Sequence, residues 1–241
     1  MSCVKSQQEI TLIGSREPIE KENLVEFRLI YYGELPSSSN AKRRPKEKHA
    51  IRRFIHPQLR RLWELKPNLR QLAEQCWIES EERATAINKG LVSELENLDQ
   101  NRSQSGLRQI GKQWSRVGYE LVPLVTPDLA LRCSLDIMLL RPSEKCFVFE
   151  QGDIDGQLKT LIDGLRIPKT LDEAGGVGPG EDETPLFCLL EDDRLISEVH
   201  VTTDELLLLP EHKQVEANDC FAVIHVKLNH REARTFGNYF G

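Results

Sequence analysis

From Gly152 to Leu165 the chain reads Gly-Asp-Ile-Asp-Gly-Gln-Leu-Lys-Thr-Leu-Ile-Asp-Gly-Leu, with Asp153 and Asp155 standing just ahead of an amphipathic pattern. Leu158, Leu161, Ile162 and Leu165 fall at i, i+3, i+4 and i+7, the apolar stripe of a helix that begins near Asp155. On such a helix Asp155, Lys159 and Asp163 share a polar side, and Asp153 joins them from an extended lead-in. Grouped carboxylates suit a hard cation such as Mg²⁺, which takes oxygen ligands together with water and substrate phosphate. A lysine one turn further on is placed to meet negative charge developing on a phosphate. The same residues also fit a plainer reading, in which Asp153 caps the helix and Asp155, Lys159 and Asp163 form a solvated, ion-paired face.

A second feature concerns polyanions. The formal net charge is −6, yet Lys42 to Arg61 carries nine basic residues against the single Glu47. They are Lys42, Arg43, Arg44, Lys46, Lys48, Arg52, Arg53, Arg60 and Arg61. Basic charge concentrated in an acidic chain is the footprint of a polyanion partner. Lys42 to Arg53 is read as a loop that tracks phosphates, against the alternative of a solvated loop. His49 and His56 have no partner spacing for a metal and are read as surface residues.

The pattern Asp-x-Asp-x-x-x-Lys-x-x-x-Asp-x-Leu, followed by Asp192-Asp193 and an apolar strand, resembles the RusA family of Holliday junction resolvases. Leu35-Pro36-Ser37-Ser38-Ser39-Asn40 is similar to that family's early Pro-Ser-x-Asn turn. The resemblance covers the first strand and roughly residues 131 to 228. It implies a Mg²⁺-dependent, structure-selective endonuclease that acts on branched DNA such as a four-way junction, as a homodimer. Asp153, Asp155 and Asp193 would be its metal ligands and Lys159 its catalytic lysine. Lys42, Arg43, Arg44, Lys46, Lys48, Arg52 and Arg53 would supply contacts to DNA.

The chain departs from the family in four ways. Gly156 stands where Asn is common, and Glu150 and Gln151 stand where basic residues precede the first aspartate. Residues 166–190 form a Gly-rich acidic insert, and the region from Arg60 to Val122 is longer than a minimal resolvase needs. A second reading follows from these departures: a non-catalytic nucleic-acid-binding or interaction protein that keeps the resolvase fold.

The elements that must position these residues are those of an α/β (α+β) protein, a mixed β-sheet with packed helices. Phe27, Leu29 and Tyr31 alternate in a first strand, and Leu131, Cys133, Leu135, Ile137 and Leu139 form the longest one. Further strands are predicted at 119–125, 195–201 and 221–228. Helices are predicted from Pro57, from Asn68 and across Ala84 to Leu98, broken or weakened at Gly90, with Trp63 and Trp77 in the core. Residues 99–106 read as a polar loop, and the insert 166–190 as a mobile excursion of the domain spanning 23–229. Residues 1–22 read as an arm and 230–241 as a tail. Six scattered cysteines without a Cys-x-x-Cys pair argue against a zinc ribbon or a disulfide framework. The absence of a long apolar run and of a signal-like N-terminus places the protein, as an expectation, in the cytoplasm and away from membranes.

Overall fold

A computed structural model describes residues 25–36, 44–141, 154–207 and 219–230 of the chain. The expected arm and the expected tail beyond His230, along with Asp153, Lys42 and Arg43, lie outside the described residues. Strand β1 (Glu26–Glu34) is followed by helices α1 (Pro45–Leu65), α2 (Pro67–Ile78), α3 (Glu81–Asn88), α4 (Val92–Gln100) and α5 (Arg102–Gln113). Then come β2 (Leu121–Val125), β3 (Leu131–Arg141), α6 (Ile154–Leu165), β4 (Leu186–Leu190), β5 (Ile196–Glu205) and β6 (Asp219–His230).

The mixed α+β architecture follows from the burial pattern of the strands. In β3 the odd positions Leu131 to Leu139 are buried while Asp136 and Met138 face outward, so one side of the sheet is turned to the core. β3 pairs antiparallel with β6 and parallel with β5, and β1 closes the other edge, giving the order β1-β6-β3-β5. Asp136, exposed as expected for a mid-strand acid, meets His200 of β5 at 3.1 Å. β2 and β4 form a separate parallel pair whose residues are buried throughout, as continuous apolar strands covered on both faces must be. One apolar cluster joins β1, α1, α2, α5 and all of these strands except the outer side of β5.

Two local expectations are revised. Residues from Pro45 onward are a helix rather than a phosphate-tracking loop, because Ile51, Ile55, Leu59 and Leu62 form one buried stripe that passes straight through Pro57. Pro57 sits on the exposed side, where the carbonyl it leaves unbonded stays open to water. The polar run 99–106 is mostly the start of α5, which approaches α2 at Gly106. The long helical period ending at Leu98 divides, as expected, into α3 and α4 at Gly90, whose φ of +67° is a left-handed value that glycine adopts freely. Trp63 and Trp77 are core residues, each 1% exposed.

Candidate functional site

Helix α6 forms where the sequence places it, but its polar residues divide between solvent and interior. Asp155 and Lys159 are exposed on its first turns. Asp163 is buried, 2.6 Å from the Lys48 ammonium, and accepts a 3.1 Å hydrogen bond from Arg166 Nε. A spacing of four overshoots one helical turn by about 40°, so Asp163 lies about 80° around from Asp155 and reaches the α1 contact. Gly156, Thr160 and Gly164 are buried on α6, and Gly164 packs against Ile51 of α1. A methyl added to Gly164 would fall 2.6 Å from Ile51 Cγ2.

The contacts between α1 and α6 fix their direction. Lys48 meets Asp163, and four residues later Arg52 donates to the carbonyls of Asp163 (2.8 Å) and Arg166 (2.7 Å). The helices therefore advance side by side, and both begin toward the same end of the molecule. Asp155, Lys159, Arg44 and Lys46 belong to that end.

Asp193 belongs to the other. Beyond α6 the backbone at Arg166 bridges Leu190 in parallel, and Ile167 N–H donates to the Leu190 carbonyl at 2.9 Å. The chain leaving β4 thus continues away from α6, and Asp192 meets Lys169 at 2.9 Å. The rise from Asp155 to Arg166 alone is about 16 Å, far beyond the reach of a shared metal ion. Asp193 is an exposed residue of a short 3₁₀ turn that Asp192 caps by accepting from Arg194 N–H. Burial would raise the Asp192 carboxyl, but hydrogen bonds from Lys169 and Arg194 hold it well below the usual carboxylate range. The implied Mg²⁺ ligand set of Asp153, Asp155 and Asp193 is not assembled: Asp155 and Asp193 are apart, and Asp153 lies outside the described residues. Among the described residues no group of three or more His, Cys, Asp or Glu is arranged to hold a metal ion.

The basic segment also changes meaning. Lys48 and Arg52, expected as phosphate contacts, are 6% and 1% exposed and point inward. Arg52 adds a third hydrogen bond, 2.8 Å to the Glu173 carbonyl, so one guanidinium ties α1 to α6 and to the Gly-rich insert. Arg166 completes the clasp with two hydrogen bonds to the Glu173 carboxylate at 2.9 and 3.0 Å. Burial alone would raise the Glu173 carboxyl; Arg166, the Lys169 N–H and Arg52 hold it at about 2. Arg53 is exposed yet ion-paired with Glu183, and Arg60 and Arg61 pair with Glu64. The described part of the insert 166–190 is therefore fastened to α1 by ion pairs and backbone hydrogen bonds.

His49 and His56 are buried rather than on the surface. His56 Nε2–H donates to the Asp182 carbonyl at 2.9 Å, while its Nδ1 accepts from Phe187 N–H at 2.9 Å, so only the neutral ring satisfies both partners. Burial pushes the pKa of both imidazoles below the ordinary value, with Arg52 and Arg53 adding to this at His49 and Arg60 at His56. On acidification the unfolded chain takes up these protons first, beginning near pH 6.5, and the folded chain only later. Stability is expected to fall as pH drops through that interval and to stop falling once both rings are protonated in the folded state. Urea midpoints at pH 7.5, 6 and 5 measure this, and His56→Gln should flatten the fall. A midpoint unchanged from pH 7.5 to 5 would contradict the burial argument.

Comparison with known proteins finds no family model, no curated protein and no solved structure that matches this chain.

Proposed function

We propose that the chain is a non-catalytic nucleic-acid-binding protein that contacts phosphates at the end of the molecule where α1 and α6 begin. The observation that carries this reading is the side-by-side advance of the two helices, which brings Arg44, Lys46 and Lys159 toward one end. Lys46 and Lys159 are exposed there, whereas Lys48 and Arg52 are committed to the interior. Two helix N-termini at one end add positive potential to those cations. The separation of Asp193 from Asp155 supports binding over three-acid metal catalysis. No helix among the described residues is long and apolar enough to cross a membrane.

The test is binding of labelled four-way junction and matched duplex, in Mg²⁺ and in chelator. Binding is expected in both, without cleavage. Replacing Lys46 and Lys159 together by alanine should reduce the slope of log K against log salt by roughly 0.9 for each phosphate that is no longer neutralised. An unchanged slope would remove this end of the molecule from the binding surface. The metal-dependent endonuclease is the second reading, favoured by one observation: Asp155 and Lys159 stay exposed one turn apart at the start of α6, directly after Asp153. Cleavage in Mg²⁺ that disappears in Asp155→Asn and Lys159→Ala would establish that reading in place of the first.

A further inference from the structure

A cleft of about 620 Å³ opens between α1, α2, α5 and the turn joining β2 to β3, away from the acids of α6. Its size falls in the range of about 300–1,000 Å³ typical of small-molecule sites. The apolar part is built by Trp63, Leu72, Ile110, Trp114 and Leu129. Exposed Glu79, Glu81 and Asp128 also line it, and among the described residues no Lys, Arg or His does. Trp63 is 1% exposed, and its Nε1–H has no hydrogen-bond acceptor among the described residues, an uncommon state for a buried donor. Trp114 already carries a cation, with the Arg116 guanidinium carbon 5.3 Å from its ring centroid.

We infer that this cleft binds a small organic cation with a planar heteroaromatic body, the ring packing against the half-buried Trp114, its acceptor turned to the Trp63 Nε1–H and its amine meeting the carboxylates. Three carboxylates with no basic residue among them select positive charge over negative. The Trp114 indole favours a flat, polarizable body, with dispersion and cation–π attraction acting together. A ring nitrogen that accepts a hydrogen bond matches the unpartnered donor of Trp63, which an all-carbon ring would leave unsatisfied. Half-buried Cys76 lines the same cleft and reports on occupancy.

The probe is primaquine, a quinoline with a ring acceptor and an aliphatic primary amine, followed by tryptophan fluorescence and calorimetry. Saturable one-to-one binding is expected. 8-Amino-6-methoxyquinoline, which lacks the alkylamine, should bind at least about tenfold more weakly, the loss that corresponds to one charge-assisted hydrogen bond. N-(1-naphthyl)ethylenediamine, which keeps the amine but has no ring nitrogen, should also be weaker. Glu81→Gln with Asp128→Asn changes two exposed residues, so the thermal midpoint should hold while primaquine affinity falls about tenfold or more. Peptide mapping after iodoacetamide should show alkylation of Cys76 slowed by saturating primaquine. Absence of saturable primaquine binding, equal affinity for the three compounds, equal affinity in the double variant, or alkylation of Cys76 unaffected by primaquine would each overturn the assignment.

Discussion

Arg52→Ala is expected to lower folding stability by about 3–5 kcal/mol, the cost typical of breaking a buried charged network from one side. Three carbonyls, those of Asp163, Arg166 and Glu173, lose their donor at once, the first two from fully buried hydrogen bonds. Each buried acceptor left unpaired costs about 1–3 kcal/mol, and the emptied volume adds a packing loss. For a chain of this size the thermal midpoint should drop by about 10 °C or more. Arg52→Lys keeps the charge but not the planar fork that serves three acceptors in different directions, so it should recover only a small part of the loss. The sign of this test separates two roles for the same residue. A phosphate-contacting Arg52 would lose DNA affinity with its midpoint unchanged; the clasp between α1, α6 and the insert requires the reverse. Because Glu173 is held ionised by Arg166, the Lys169 N–H and Arg52, Glu173→Gln should act in the same direction with a smaller effect.

Where one periodicity decided the structure, the sequence was legible. β3 alternates without interruption and α6 carries its apolar stripe at helical spacing, so both lie where residue types alone put them. The start of α1 was hidden by two competing signals. Nine basic residues suggested an open loop and Pro57 suggested a helix start, while the stripe Ile51-Ile55-Leu59 already ran upstream of that proline. Burial of Lys48 and Arg52 is a tertiary outcome, set by Asp163 and by carbonyls more than a hundred residues away, and no local pattern encodes it. The separation of Asp193 from Asp155 was hidden for a different reason. Spacing along the chain fixes Asp155 relative to Lys159, but the distance to Asp193 depends on whether the strand after α6 turns back toward the helix start or continues beyond its end. The parallel bridge of Arg166 with Leu190 is the contact that decides it. The cleft was least legible of all, because its lining comes from α1, α2, α5 and a turn, and Trp63 looks from sequence like ordinary core.

Gly106→Ala tests how tightly the walls of that cleft are set. Helix propensity by itself favours alanine over glycine by about 1 kcal/mol in a helix interior, so an isolated α5 would gain from the change. The tertiary contact opposes it. A methyl built on Gly106 falls deep inside the van der Waals envelope of the Ala73 carbonyl oxygen, which belongs to the backbone of α2 and has no rotamer by which to move aside. Relief requires α2 and α5 to separate, opening the packing around Leu72, Ala73 and Ile110, all of them buried. Overpacking of this kind typically costs about 1–3 kcal/mol, and a clash with main chain belongs at or above the upper end. The steric loss therefore exceeds the propensity gain, and a net destabilisation of about 2 kcal/mol or more is expected. Ala73→Gly should not rescue the variant, since the offending atom is the carbonyl oxygen rather than the Ala73 methyl. Cys76 of α2 and Gln109 of α5 stand on the two helices that would be driven apart, so the same substitution should speed alkylation of Cys76 and weaken any ligand held between them. A raised thermal midpoint in Gly106→Ala would mean that propensity wins and that α2 and α5 yield at little cost.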